Sequence, residues 1–213
     1  MKVWLIAGLY FSGFSFPMLA QHNSIMLGGG LSTIQGDAGL DVFDLESYGY
    51  SITARYIHPF KKNDRWNFTV EYNNSSMVQR GYVNQLDLYK IYARQVFFGV
   101  GCRFYLLNTI NEYNPYFMEV LPFIQASAGL LSHRMDFKEP FLNRSNFEIA
   151  EDSFNGTALQ ATTGILLILD KRWGLEGYLS IRYDASDSWD GLKGSTSFGD
   201  FFGHGGIGVN FAL

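Results

Sequence analysis

The sequence predicts an all-β protein, an eight-stranded antiparallel up-and-down transmembrane β-barrel. Three observations predict it: apolar and polar residues alternate with a period of two, long and short connections alternate, and aromatic residues and glycines are both abundant. The chain has 19 Phe, 13 Tyr and 4 Trp beside 23 Gly and only 5 Pro. Aromatic girdles and glycine-rich walls are typical of outer-membrane barrels. Composition alone leaves a soluble periplasmic β-sandwich as the alternative.

The alternation is clearest between positions 173 and 183. Apart from Gly177, every odd position there is apolar or aromatic, while the even positions include Glu176, Ser180 and Arg182. Across the chain the polar faces hold mostly Gly, Ser, Thr, Asn and Gln, with single charges. A sandwich face in bulk water would carry Lys and Glu in quantity. The pattern therefore favours lipid on one side of each strand and a narrow polar interior on the other.

The same period defines eight segments whose connections alternate in length. We predict strands at 24–33, 49–58, 66–75, 91–106, 115–134, 157–169, 173–186 and 199–211. The long connections are 34–48, 76–90, 135–156 and 187–198, and the short ones are 59–65, 107–114 and 170–172. Outer-membrane barrels pair short periplasmic turns with long extracellular loops, so both termini are expected in the periplasm. A ten-stranded barrel is the alternative if the 135–156 connection contributes a hairpin.

The first 20 residues predict a signal peptide, followed by one outer-membrane barrel domain at 21–213. Lys2 is followed by an apolar stretch of about 14 residues, and Ala20 suits signal peptidase. A membrane-spanning helix needs about 20. We therefore expect export and an integral position in the cell outer membrane, in contact with outer-membrane lipid. Outward Phe211 and Leu213 resemble the terminal signal read by the barrel-insertion machinery, an expected partner during biogenesis.

Charge and cysteine content narrow the function classes. The net charge of −4 is spread along the chain without a basic patch, so we expect no nucleic-acid partner. Cys102 is the single cysteine, so an internal disulfide is excluded. We expect no cofactor and no metal site. Four acidic residues of the first long loop lack the ligand register of a calcium loop: Asp37, Asp41, Asp44 and Glu46.

Strand parity places seven charged side chains inside the barrel, three arginines and four carboxylates. They are Arg55, Glu71, Arg103, Glu119, Glu176, Arg182 and Asp184. An eight-stranded barrel is only just wide enough for side chains, and an isolated buried ion costs several kcal/mol. We therefore expect a salt-bridged and hydrogen-bonded plug. A gated ion path is the alternative.

The histidines predict no catalytic site. A hydrolase needs its nucleophile and base within about 3 Å. Ser132 and His133 are adjacent, so their side chains point to opposite faces of a strand, and His204 has no serine at a useful spacing. His58 falls at a strand end, and His22 follows the cleavage site. We predict that the protein is not an enzyme, with lipid A modification as the alternative.

Two arginines on the outer face suggest a lipid contact. Arg94 and Arg134 have lipid-facing parity on adjacent predicted strands, near the extracellular rim. Lipopolysaccharide phosphates lie at that level, and arginine binds phosphate through two parallel hydrogen bonds. We therefore predict that the pair contacts lipopolysaccharide.

A resemblance appears at the seventh predicted strand, in five residues: Trp173, Leu175, Arg182, Asp187 and Asp190. They resemble a W-x-L…R…D-x-x-D pattern of small Bacteroidota outer-membrane barrels, the PorG type of the type IX secretion system. The Gly28-Gly29-Gly30 to Gly36-Asp37 stretch and the Arg65-Trp66 pair are also similar. The pattern departs from that type at Glu176, one step early, and at Ser188, where tyrosine is usual.

The resemblance implies a non-catalytic barrel that anchors periplasmic secretion-system components to the outer membrane. Such contacts would fall on a basic rim of the periplasmic turns: Lys61, Lys62, Arg65, Lys171 and Arg172. Ordinary solvated turns are the alternative for these residues. Three functions stay open: a structural or anchoring barrel, a lipid-modifying enzyme, and a small surface barrel whose long loops act in adhesion or resistance.

Overall fold

The chain folds into one closed antiparallel barrel with a small two-stranded sheet beside it. The computed structural model describes residues 23–35, 48–60, 65–83, 86–107, 119–137, 148–149, 153–170, 172–183, 192–193 and 201–213. Its strands are β1 (Ser24–Gln35), β2 (Gly49–Pro59), β3 (Trp66–Val83), β4 (Leu86–Tyr105), β5 (Glu119–Phe137), β6 (Glu148–Ile149), β7 (Ser153–Ile168), β8 (Trp173–Tyr183), β9 (Leu192–Lys193) and β10 (Phe201–Ala212). No helix among these residues is long and apolar enough to cross a membrane.

Eight strands close the barrel, in the order β1-β10-β8-β7-β5-β4-β3-β2. The first and last strands pair antiparallel from Ser24 opposite Ala212 to Gln35 opposite Phe201, which leaves no edge in the barrel sheet. We call the end that holds Ser24 and Ala212 the turn end; it also carries connections 60–65, 106–118 and 169–172. The opposite end is the loop end. The eight-stranded prediction is confirmed.

The predicted long connection at 76–90 is wrong. β3 and β4 continue as one long hairpin, in which Val83 lies opposite Leu86. β2 stops pairing with β3 at Ser76, so the hairpin extends past β2 at the loop end. Val78, Tyr82 and Val83 favour strands, yet the predicted third strand ends at position 75, before them.

The two other long connections that contain described residues meet each other. β6 lies between β5 and β7, and β9 lies between β8 and β10. Glu148 pairs with Lys193 and Ile149 with Leu192, in a sheet separate from the barrel. The ten-stranded alternative therefore does not apply, because these strands pair with each other and not with the barrel wall.

Exposed and buried side chains alternate along the strands. Their chemistry is the reverse of that in a soluble barrel. Large aliphatic side chains face outward, with Ile207 70%, Leu130 66% and Leu159 63% exposed, while Arg55 and Arg103 inside are at most 1% exposed. Aromatic pairs lie at both ends of the apolar outer wall. Trp66–Phe104 and Trp173–Phe211 lie at the turn end, and Tyr183–Phe201 lies at the loop end.

Glycine allows β1 and β10 to approach closely on the inner face. Gly30 lies directly opposite Gly206 in the register. A β-carbon at Gly30 would overlap the backbone of Gly205, and one at Gly206 would overlap Gly29. Since these neighbours are backbone atoms of the paired strand, no side-chain rotation can make room. Glycine at this pair is therefore required for barrel closure in this register.

Candidate functional site

The centre of the barrel interior holds two arginines and two glutamates from four strands. Arg55 lies on β2, Glu71 on β3, Arg103 on β4 and Glu176 on β8. Their inward parity brings them together across the barrel, and all four side chains are buried. We call these four residues the central charge cluster; its formal charges sum to zero.

Glu176 contacts both arginines. Arg103 donates from Nη1 to Oε2 at 2.8 Å and from Nη2 to Oε1 at 3.0 Å, and Arg55 donates from Nη1 to Oε1 at 2.6 Å. Asn210 on β10 donates to Oε2 at 3.2 Å. Charge-assisted and bidentate hydrogen bonds are the strong ones. Glu176 is thus held from three other strands.

The Glu71 carboxylate accepts hydrogen bonds from one arginine and two side-chain amides. Arg55 Nε donates to Oε2 at 3.1 Å, Gln125 Nε2 to Oε2 at 3.0 Å, and Gln160 Nε2 to Oε1 at 2.8 Å. Gln125 also accepts from Arg103 Nε at 3.1 Å. Both carboxylates are therefore surrounded by donors, which is what buried charges require.

Arg182 lies apart from the central charge cluster and is bound by neutral groups. It donates to Gln160 Oε1 at 2.7 and 3.1 Å, to Asn73 Oδ1 at 3.1 Å and to Gln95 Oε1 at 3.3 Å. Its guanidinium lies 4.1 Å from the ring centroid of Phe97 and 4.9 Å from that of Phe202. Among the described residues no carboxylate forms a salt bridge with it.

A cluster of buried, mostly apolar side chains, which we call the apolar layer, packs against the charges inside the barrel. It consists of inward side chains from six strands: Met26, Tyr105, Leu121, Phe123, Leu166, Ile168, Tyr178 and Ala212. The Arg103 guanidinium lies 3.8 Å from the Phe123 ring centroid. The apolar layer and the central charge cluster are therefore in direct contact.

Five of the seven predicted interior charges lie deep inside the barrel; the other two differ. Glu119 has inward parity and begins β5 at the turn end, where the residue is partly exposed while its Oε2 atom is buried. Asp184 lies outside the described residues.

The amide partners Gln95, Gln125, Gln160, Asn73 and Asn210 were not singled out from the sequence. Parity alone could have placed each on the inner face. What parity does not reveal is which amides from distant strands meet one carboxylate, as Gln125 and Gln160 do at Glu71.

The described histidines have different surroundings. Ser132 is exposed and His133 buried, so the predicted opposite orientation is confirmed. Neither ring nitrogen of His133 or His204 has a hydrogen-bond partner among the described residues. His58 Nδ1 lies 2.6 Å from Asn23 Oδ1 at the turn end. His22 lies outside the described residues.

Metal-binding geometry is lacking in the part of the chain that the structure describes. No group of three or more His, Cys, Asp or Glu side chains there could hold a metal ion. The four acidic residues considered for calcium all fall at 36–47, outside that part. Cys102 is an exposed free cysteine on the outer wall.

Arg94 and Arg134 lie directly opposite each other on β4 and β5. Both side chains are exposed on the outer face near the loop end. They line a depression of about 470 Å³ with Tyr50, Ser76, Tyr92 and Asp136. The strand register therefore places the two arginines side by side on adjacent strands, as predicted. Their contact with lipopolysaccharide stays a prediction.

The predicted basic rim is only partly described, because Lys61, Lys62 and Lys171 fall outside the described residues. Arg65 precedes β3, where its guanidinium lies 6.0 Å from the Phe104 ring centroid. Arg172 precedes β8, and its carbonyl accepts from the amide of Ala212 at 2.9 Å. β3 and β8 are four strands apart in the ring, so these two arginines lie on opposite walls.

Comparison with solved structures shows the same fold. Neisserial surface protein A (NspA) is similar with a TM-score of 0.55 and 12% sequence identity, covering 90% of this chain and 97% of that one. Ail, the attachment invasion locus protein of Yersinia pestis, aligns with a TM-score of 0.47 and 15% identity over 91% and 99%. OprG, an outer membrane protein of Pseudomonas aeruginosa, aligns at 0.45 and 10% over 92% and 100%. No family model and no curated protein matches the sequence.

Proposed function

We propose that this protein is a non-catalytic integral barrel of the cell outer membrane with a structural or anchoring role. One observation carries the proposal: the outer wall is apolar while the buried interior is charged. Such a wall is unfavourable in water and favourable in lipid. The likeness to NspA, in a fold shared at low identity, agrees with it.

The height of the apolar wall supports insertion across one bilayer. Along β4, ten residues separate outward Arg94 from Phe104, which is about 34 Å at 3.4 Å per residue. At a barrel tilt of about 40°, this becomes about 26 Å along the membrane normal. That agrees with the apolar band of about 25 Å in outer-membrane barrels.

We further propose that the interior is closed to ions. The central charge cluster, Arg182 with its amides, and the apolar layer form successive layers of buried side chains. An ion would have to displace paired charges and then pass Phe123 and Leu166. Planar-bilayer recording of the purified barrel tests this: we expect no large, stable single-channel conductance, and recording one would support the gated path instead.

The anchoring role is the more specific part of the proposal, and its support is the resemblance to PorG-type barrels. The sites of contact would be the basic residues of the turn end, with Arg65 and Arg172 on opposite walls. An encircling partner suits that spacing better than a single small patch. Pull-down from native membranes should co-isolate periplasmic components of a secretion machine, and Arg65→Ala with Arg172→Ala should reduce their yield.

Two alternative roles predict different results. A lipid-modifying enzyme would change lipid A mass spectra in a deletion strain, whereas anchoring predicts unchanged lipid A. A loop-mediated surface role would be lost on trimming 138–147, whereas anchoring would persist. If neither periplasmic partners nor secretion defects are found, the anchoring role is wrong, while the proposal of membrane insertion is unaffected.

A further inference from the structure

We propose that the outer wall of β4 and β5 carries a binding site for one phosphorylated lipid, with phosphate on Arg94 and Arg134 and acyl chain in the groove below. This inference rests on the proposed membrane location. It adds a ligand site that the anchoring role does not require.

The two arginines form a like-charge pair that favours an anion. Residues directly opposite on antiparallel strands have β-carbons about 4.5–5.5 Å apart, and like charges there are destabilising. Neither guanidinium has an ion pair among the described residues. A phosphate between them would accept hydrogen bonds from both guanidinium groups and offset the repulsion between their positive charges.

Polar side chains flank the pair on the neighbouring strands and on its loop-end side. Ser76 is the outward residue opposite Arg94 on β3, and Tyr50 is opposite Ser76 on β2. Asp136 lies two residues beyond Arg134 on β5 and lines the same depression. Its carboxylate can accept from hydroxyl groups of a sugar headgroup, while the pair retains a net positive charge beside it.

The surface becomes mostly apolar on the turn-end side of the arginines. The next outward pair is Val96 with Ser132, followed by Phe98 with Leu130 and Val100 with Ala128. Two adjoining grooves run along these residues toward the turn end, both lined by Phe98, Leu130 and Thr157. From Arg94 to Val100 is six residues, about 20 Å along the strand. That length accommodates a fatty acyl chain.

Position and charge select the occupant. A cationic depression above an apolar groove, on a wall that faces lipid, matches an amphiphile whose phosphate lies at the membrane surface. A soluble phosphate compound would use the depression but leave the groove empty. A protein partner would need a broader polar face than these strands offer. We therefore assign the site to a phosphorylated lipid.

The test uses the folded full-length barrel in detergent micelles and bisphosphorylated lipid A as probe, with bound lipid counted by native mass spectrometry. The variant R94Q/R134Q removes both guanidinium groups and their charges. R65Q/R172Q is the matched control, because it removes the same charge at the turn end. We expect R94Q/R134Q to weaken lipid A binding by at least about tenfold, since charged hydrogen bonds are lost. The control should stay within about twofold of wild type.

Four further comparisons separate the contributions of charge, groove and phosphate to the site. R94K/R134K keeps charge without the planar fork, so its affinity should fall between wild type and R94Q/R134Q. Ala128→Trp fills the groove and should weaken lipid A binding, whereas Ile207→Trp on the opposite wall should not. Dephosphorylated lipid A should bind wild type as weakly as lipid A binds R94Q/R134Q. Inorganic phosphate should not compete with lipid A at equal concentration.

The outcomes separate this inference from the proposed function. If wild type fails to insert into phosphatidylcholine vesicles, the membrane proposal itself is wrong. If it inserts but R94Q/R134Q binds lipid A like wild type, only the lipid site is wrong. Equal competition by inorganic phosphate, or full binding by Ala128→Trp, would also overturn it, because the acyl chain would then contribute nothing.

Discussion

Arg103 and Glu176 meet through two parallel hydrogen bonds of 2.8 and 3.0 Å inside the barrel, although 73 residues separate them in the chain. Arg103 belongs to β4 and Glu176 to β8, which are three strands apart in the ring. Their contact crosses the lumen. It therefore ties opposite walls of the barrel together, in addition to the hydrogen bonds between adjacent strands.

Glu176→Gln should destabilise the barrel by about 3–5 kcal/mol, the usual cost of removing one partner of a buried ion pair. The amide would turn donors toward Arg55 or Arg103 and leave excess positive charge in the interior. Denaturant unfolding in lipid vesicles, followed by tryptophan fluorescence, measures the change. Asp170→Asn is the control, expected below about 1 kcal/mol because this carboxylate is exposed at the turn end. Equal stability of the two variants would contradict a dominant role for the central charge cluster.

Arg182→Met should cost less stability than Arg103→Met. Removing Arg103 leaves Glu176 with one arginine fewer, at about 3–5 kcal/mol. Removing Arg182 leaves only neutral amide oxygens without a donor, at about 1–3 kcal/mol, and methionine still packs between Phe97 and Phe202. The same unfolding measurement compares them. A larger loss for Arg182→Met would mean that its cation–π contacts outweigh the salt bridges.

Gly30→Ala should impair barrel closure, whereas Gly177→Ala should not. A β-carbon at Gly30 meets the backbone of β10, but one at Gly177 has no atom within 4 Å. Overpacking of this kind costs about 1–3 kcal/mol. The heat-dependent shift of the folded barrel on a denaturing gel, with its unfolding midpoint, reports closure. Identical behaviour of the two variants would show that β1 and β10 can separate without loss of stability.

A fluorophore attached to Cys102 should lie within the lipid acyl region. Cys102 is exposed on the outer wall, opposite outward Ala126 and between the Val100 and Phe104 levels. Labelled in urea and refolded into vesicles, the fluorophore should be quenched strongly by lipids brominated along their acyl chains. Aqueous iodide should quench it weakly. The reverse pattern would place this wall in water and contradict the membrane location.

Local chemistry in the sequence was enough to predict much of the barrel. Odd and even positions of β8 face outward and inward as predicted, because side chains of a strand alternate regardless of what it pairs with. The same rule placed Arg55, Glu71, Arg103, Glu176 and Arg182 inside. It also put Arg94 and Arg134 on the outside.

Only the tertiary structure decided which of these residues meet. Strand parity says that Arg103 points inward, but the register and the closure of the ring determine that it reaches Glu176 and that Arg182 reaches amides instead. The predicted third strand ends at position 75, whereas β3 continues to Val83 because it pairs with the long partner strand β4, which local sequence does not reveal. Contacts across a lumen depend on strand order, stagger and tilt, which are properties of the closed sheet and not of any one segment.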